Sequence, residues 1–450
     1  MASSVDSDSA NRPCVVLKIG TSTLIDDTRG VVRLTALARI AEVAFHLRNS
    51  GWDVVLVSSG AVGVGATKLG LMGQAPPNLA TKQAMAAVGQ AHLVHLYDTC
   101  LASYGQINAA QVLLSAETLT KQSTHSNAVQ TMQALIDFGV VPIVNENDTT
   151  AHHKIRVGDN DTLSSMVAGM LAGRSQAESR QATVLLLITD VDGLYTANPS
   201  VVSSAAPIRH LRSEDITQLR QRMMSGTAPL CSVNAEGTAE IDEDADSGTP
   251  SAAAAEDTGG AGSAFGTGGM QTKLQAAALA SASGVLTGIL NNTRIEEIPE
   301  LLKQIFPTAD PEENHGPELV KRVLTLDHGT WCLPSEAATA RMLSAHKRWL
   351  LSIPPMGRVT VDAGAAKALL NKHSLYAAGC THVHGVFNSS DVVRVMDESQ
   401  IEIARALVAY SSAEMRELLG QHSGDIEELL GHTGPESVAH RNNIVLLAEK

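Results

Sequence analysis

Aromatic side chains are scarce in this chain: five Phe, five Tyr and three Trp, 3% of 450 residues. Ala, Leu and Val therefore carry most of a 44% hydrophobic content, which suits an α/β protein with closely packed helices. Long apolar runs are missing. None approaches the ~20 residues needed to cross a bilayer. Residues 1–12 are rich in Ser and Asp with no apolar segment. They read as a flexible N-terminus, not as a secretory signal or an Arg-rich transit peptide. Cysteine is sparse and dispersed (Cys14, Cys100, Cys231, Cys332, Cys380). That spacing argues against a zinc site and for reduced thiols in the cytosol, each a small, partly buried hydrophobe. Positive charge is also short, 33 Lys and Arg against 47 Asp and Glu, a net of −14. Such a balance disfavours non-specific nucleic-acid binding.

Short apolar runs alternate with helical periodicity through the first part of the chain. Val54–Val57, Val140–Val144 and Val184–Ile188 are continuous apolar runs rich in Val, Leu and Ile, as expected of strands buried on both faces of a parallel sheet. Helical spacing marks 34–47, 84–101, 127–136 and 162–171, the last behind Gly158-Asp159-Asn160-Asp161 and its acidic cap. The fold class is therefore an open, mainly parallel sheet between helices. Residues 226–262 interrupt it with Ala, Ser, Gly, Thr and acids and read as a loop-like, disordered insertion. From Lys347 the texture becomes short strand-like pieces (Arg358–Val361, His382–Val386, Val392–Val395), a small strand-rich domain beyond a boundary at 333–346.

Polar clusters end four of the apolar runs, after Leu17, Val57, Val144 and Ile188. Ligands bind at the carboxyl ends of strands in open α/β sheets. Lys18 stands at the first of these ends, before Gly20-Thr21-Ser22; Lys273 follows Gly266-Thr267-Gly268-Gly269-Met270 and heads a helical run. Small-residue loops leave backbone N–H groups free to face oxyanions, and a helix start adds its dipole. Two such loops, each with a lysine, could hold a phosphoryl group from opposite sides during transfer. Neither is a Walker A loop or a dinucleotide fingerprint. Asn145-Glu146-Asn147-Asp148 and Gly158-Asp159-Asn160-Asp161 gather carboxylates and amides within 17 residues. Some of these must serve turns and a helix cap. Others suit a substrate amino group, or a carboxylate that orients lysines or a metal; the spacing is wrong for an EF-hand.

In order along the chain, Val16–Ser22, Val57–Gly65, Asn145–Asp148, Gly158–Ser164, Thr189–Thr196 and Gly266–Ala277 resemble the amino acid kinase superfamily and, within it, the glutamate 5-kinase family. His346–Trp349, Pro354–Gly357 and Val359–Ala365 resemble the PUA domain appended to many of its members. The resemblance implies an amino acid kinase domain over 13–332, interrupted by 226–262, and a PUA-like domain over 346–450. It implies ATP-dependent phosphorylation of the glutamate γ-carboxylate with magnesium. Lys18 and Lys273 would neutralise the moving phosphoryl group and Asp161 would orient them. Ser59, Gly60, Asp148 and Asn160 would hold glutamate. Gly20, Thr189, Asp190 and the loop Gly266, Thr267, Gly268, Gly269, Met270, with Lys18 and Lys273, would hold ATP. No residue is assigned as a metal ligand. Family members are commonly inhibited by proline at the glutamate pocket and assemble as dimers or tetramers, so both are expected here; the dispersed thiols and the Ser- and Asp-rich N-terminus lead to the expectation of a cytoplasmic location.

The chain departs from the family pattern at the 226–262 insertion, at Lys154 and Arg156 between the two acidic motifs, and at Asn442-Asn443. Residues 347–450 hold ten Lys and Arg against twelve Asp and Glu, a net of −2. That is no basic footprint, so RNA binding is not expected of the PUA-like part. Other readings stay open at this level: the same fold with acetylglutamate, aspartate, carbamate or a nucleotide as acceptor, an RNA-binding protein, or an inactive homologue.

Overall fold

The computed structural model describes residues 12–26, 28–74, 76–105, 107–150, 159–172, 182–197, 199, 202–225, 231–234, 237–240, 269–308, 314, 316–335 and 343–447. The chain divides into two compact units, Met1–Thr118 with Ser126–Met342, and Leu119–His125 with Leu343–Lys450. No sequence feature indicated that 119–125 groups with the C-terminal residues.

The first unit is built on an eight-stranded sheet. Its strands are β1 (Cys14–Ile19), β2 (Asp53–Ser58), β3 (Ala109–Leu114), β4 (Val141–Glu146), β5 (Thr183–Thr189), β6 (His210–Leu211), β7 (Leu286–Asn291) and β8 (Thr330–Cys332). Their order across the sheet is β6-β8-β7-β5-β1-β2-β4-β3. The run from β3 to β7 is parallel throughout, while β8 lies antiparallel to β7 and parallel to β6. β1, β2 and β5 are buried at every position, the consequence of apolar runs covered by helices on both faces. β6 and β8, at two and three residues, are too short to show a hydrophobic pattern.

Five helices position the site: α1 (Leu34–Asn49), α2 (Ala61–Leu69), α3 (Leu79–Ala102), α4 (Asn160–Ala172) and α5 (Met270–Ala282). The expected 84–101 helix begins five residues earlier, where the Asn78 side chain accepts from the Thr81 N–H and caps it. The apolar faces of α1 and α3 close over β1, β2 and β4 to form the main core. α2 and α3 touch backbone to backbone. A Cβ on Gly89 would lie 1.8 Å from the Ala61 carbonyl oxygen, and one on Gly65 1.8 Å from that of Met85. Only glycine permits this crossing.

Within the stretch 226–262, Ser232–Val233 and Ala239–Glu240 pair as an antiparallel ribbon, and Thr238 bridges to His210 of β6. Cys231 and Ala239 are buried there. An ordered ribbon thus stands where the composition suggested an unstructured insertion, because two small apolar side chains suffice to seat it on the sheet edge. The remainder, 226–230, 235–236 and 241–262, lies outside the described residues.

The second unit holds a five-stranded sheet of β9 (Gly357–Val361), β10 (Cys380–Gly385), β11 (Val392–Met396), β12 (Glu402–Leu407) and β13 (Ile444–Leu446), ordered β10-β9-β11-β12-β13. All neighbours are antiparallel except β9 and β11. Its own core includes Val359, Val361, Val393, Val395, Phe387 and Tyr410. Trp349 is buried and donates its indole N–H to the Leu119 carbonyl at 2.7 Å, which ties 119–125 into this unit.

Candidate active site

Lys18 is the fifth residue of β1, in a strand whose interior is apolar on both sides. Its side chain reaches the strand end, and its ammonium lies 2.6 Å from Asp161 Oδ1. Asp161 stands in the first turn of α4 and has no exposed surface. Lys273, in the first turn of α5, approaches Asp161 Oδ2 at 3.6 Å. Thr272 donates its hydroxyl to the same oxygen at 2.8 Å. Elements about 250 positions apart in sequence thus converge on one carboxylate. Burial alone would push Asp161 up; the ammoniums of Lys18 and Lys273, with hydrogen bonds from Lys18 and Thr272, outweigh it and hold the acid below the usual aspartate range. The two lysines carry two positive charges against one negative, so the cluster keeps an excess positive charge at the helix starts.

Next to this triad the Ser58–Ala61 turn follows β2. The Ser59 N–H donates to the Ile19 carbonyl at 2.9 Å, which locks this turn to the end of β1. Gly60 takes φ 101°, a left-handed conformation open to glycine at little cost, and starts α2. Asn160 donates its amide to Ser59 Oγ at 2.9 Å, and its buried Oδ1 has no hydrogen-bond partner among the described residues. At the end of the next strand, β4, Asn145 is buried and donates its amide to Gln90 Oε1 of α3 at 2.7 Å. The Glu146 N–H donates to Asn145 Oδ1 at 2.9 Å, which fixes the orientation of the Asn145 amide.

Three carboxylates crowd the mouth beyond these residues. Burial raises Glu146, helped by the charges of Asp148 and Asp159 and opposed by Lys82. Burial also raises Asp148, again opposed by Lys82. Asp159 is raised by burial and by Asp161, against hydrogen bonds from Thr162. Asp159 also accepts from the Thr162 N–H at 2.6 Å and so caps α4, the acidic cap read from the sequence. Burial, joined by repulsion from neighbouring acids at Glu146 and Asp159, thus raises the proton affinity of three carboxylates that lie near the end of β4 and the start of α4.

Thr189 ends β5, beside β1, and donates its hydroxyl to Asp190 Oδ1 at 3.2 Å; Asn291 at the end of β7 donates to the Asp190 carbonyl at 3.2 Å. Gly20 lies beside the Lys18 ammonium. Gly269 precedes Met270 at the start of α5, and its carbonyl accepts from the Thr272 hydroxyl at 2.7 Å. Gly266, Thr267 and Gly268 lie outside the described residues, as do Gly158, Lys154 and Arg156. Lys18, Lys273 and Asp161 are thus brought together, and so are Ser59 and Asn160. No direct bond joins Asp148 to that pair among the described residues. Reasoning from sequence missed the contacts of Thr272 and Gln90 and the charge of Lys82 near Glu146 and Asp148. Thr272 was legible as the neighbour of Lys273 in a helical first turn; Gln90 and Lys82 sit on a long helix with no local signal.

Residues 13–292 match the model of the amino acid kinase family, and 357–430 match the PUA domain. The chain belongs to the amino acid kinase family. It is 39% identical to a glutamate 5-kinase of Synechococcus sp. (strain JA-2-3B'a(2-13)) over 437 residues, 96% of this chain and 98% of that one. It is 40% identical to a glutamate 5-kinase of Acaryochloris marina over 437 residues, with the same coverage. A glutamate 5-kinase of Microcystis aeruginosa is 37% identical over 436 residues, 96% of each chain. Within the amino acid kinase family, the chain therefore falls in the glutamate 5-kinase group.

Proposed function

We infer that this amino acid kinase transfers the γ-phosphoryl group of ATP to the γ-carboxylate of glutamate, giving glutamyl 5-phosphate and ADP, the first step of proline synthesis. The observation that carries this reading is the attachment of Lys18 and Lys273 to opposite oxygens of one buried aspartate. The acceptor carboxylate is already ionised at neutral pH, so no general base is required. An acceptor oxygen forms its bond to the γ-phosphorus as the bond to the β,γ-bridging oxygen breaks, and ADP leaves with that electron pair. What opposes this is the approach of two anions, about 4 kcal/mol at 4 Å and an effective dielectric of 20. Two fixed ammoniums offset that repulsion, and Asp161 keeps them in place with no reorganisation at the moment of transfer.

Ser59, with Gly60 and Asn160, would hold the γ-carboxylate end, and Asp148 would take the substrate ammonium. Thr189, Asp190, Gly20 and the loop from Gly266 to Met270 would hold the nucleotide. Magnesium enters with ATP. Among the described residues no group of three or more His, Cys, Asp or Glu could hold a metal. Held by phosphate oxygens and water, the ion would neutralise the phosphate tail.

Proline inhibition at the glutamate pocket, assembly as a dimer or tetramer, a cytoplasmic location and a structural or regulatory part for the PUA unit complete the proposal. No helix among the described residues is long and apolar enough to cross a membrane. A coupled ADP-release assay over glutamate, acetylglutamate, aspartate and carbamate tests the central reading. Release with glutamate alone supports it; release with another acceptor and not glutamate refutes it. Proline added to that assay tests inhibition, light scattering tests assembly, and a gel shift with tRNA tests the RNA-binding alternative.

A further inference from the structure

Glutamate carries an α-carboxylate as well as an α-ammonium, and the pocket described above is rich in acids. Glu146, Asp148 and Asp159 would repel that second carboxylate, so the acceptor site needs a cation of its own beyond the two lysines committed to phosphate. Helix α3 supplies one. Its direction is set at two points: Asp98 accepts from the Ala109 N–H at the start of β3, and Gln90 grips Asn145 near the end of β4. The N-terminal turns of α3 therefore extend beyond the carboxyl edge of the sheet. The buried stripe of this helix runs through Met85, Ala86, Gly89 and Gln90. Lys82 continues that stripe, three, four and seven residues before the first three of these. It lies eight residues N-terminal of Gln90, about 12 Å of helix rise. That places it over the loop that follows β4.

We propose that Lys82 binds the α-carboxylate of the acceptor and so determines that the enzyme takes an α-amino acid. The proposal rests on the glutamate-kinase reading and adds a residue to it. Lys82 is half-buried, and no carboxylate among the described residues forms a direct ion pair with it. Its charge nevertheless acts on both Glu146 and Asp148, on the loop end of β4 that it overlies. The opposed ends of a zwitterion would thus meet an ammonium on one side and carboxylates on the other. The close α2–α3 approach at Gly65 and Gly89 ties the helix that carries Lys82 to the helix that follows the Ser59–Gly60 turn and would set the distance between them. A fixed distance discriminates chain length, because the γ-carboxylate must reach the phosphate while the α-carboxylate stays on Lys82.

The test compares Lys82→Met and Lys82→Arg with wild type in steady-state kinetics. With Lys82→Met, KM for glutamate should rise at least about 30-fold, the scale of losing one charge-assisted contact. The kcat and the KM for ATP should stay within about threefold, and Lys82→Arg should recover most of the loss. The competitive Ki of 4-aminobutyrate, which keeps the amino group and the γ-carboxylate but lacks the α-carboxylate, should not change. The proposal is overturned if KM for glutamate stays within threefold, if the 4-aminobutyrate Ki rises in parallel, or if Lys154→Met or Arg156→Met alone shows the carboxylate-specific loss. Wild type that releases no ADP with glutamate would instead refute the proposed function, independently of Lys82.

Discussion

Lys18 and Asp161 form an ion pair of 2.6 Å in which the lysine is 5% exposed and the aspartate not at all. Taking both charges out of water is expensive, and one pair seldom repays it as stability alone. Here Lys273 and Thr272 supply the remaining partners of the carboxylate. Asp161→Asn keeps the shape and removes the charge that gathers the lysines. Its kcat is expected to fall about 10²-fold, the scale of a misplacement of about 1 Å, with both KM values changed far less. Steady-state kinetics decide; a kcat within threefold of wild type would contradict the orienting role.

Lys273→Ala removes one of the two cations aimed at the phosphoryl group. Loss of one such donor lowers kcat by about 10²–10³. Single-turnover measurement of the chemical step separates this from slower product release, and a near-normal rate would refute the assignment.

Asp148 makes a prediction in the opposite sense for stability. Burial raises its proton affinity in the folded protein above the ordinary 3.8. For an acid with a raised folded value, protonation contributes stability that is present at low pH and lost as pH rises through that value. Charged Asp148 therefore weakens the empty protein near neutrality. Asp148→Asn is expected to melt higher than wild type at pH 7 and to lose that advantage as pH falls through the raised folded value, none remaining below 3.8, while KM for glutamate rises about tenfold or more. Thermal melts across pH, read beside the kinetics, check both halves. Asp161 has the reverse sign: its depressed value contributes stability above the ordinary value of 3.8, lost as pH falls through the folded value.

Gly89→Ala probes the helix crossing that carries the acceptor pocket. The added methyl would meet the Ala61 carbonyl oxygen at 1.8 Å, so α2 and α3 must part. Overpacking of this kind costs about 1–3 kcal/mol, measurable by denaturant titration. Because Ala61 adjoins the Ser59–Gly60 turn, KM for glutamate should rise as well, with the KM for ATP nearly unchanged.

Much of this architecture is legible in the amino-acid sequence. Val54–Val57 and Val184–Ile188 are continuous runs of Val, Leu and Ile, and such runs are buried on both faces in a parallel sheet. Both are internal strands. Lys18 and Lys273 stood out because each accompanies a glycine-bearing turn. Their meeting on Asp161 was available only through the family resemblance, since nothing in spacing joins positions so far apart. Gln90 was illegible for a different reason. A glutamine within a 24-residue helix looks like solvated surface, and only the register of α3 against β4 turns it into the partner of Asn145. The ribbon at 232–240 was hidden by composition, because two small side chains, Cys231 and Ala239, bury it without a run of large apolar residues.

The most direct test of the central claim is a crystal structure with a non-hydrolysable ATP analogue and glutamate bound. The account predicts that the ammoniums of Lys18 and Lys273 both lie within about 3 Å of terminal phosphate oxygens, with Asp161 still between them and the γ-carboxylate in line. A structure in which either ammonium points away from the terminal phosphate would contradict it.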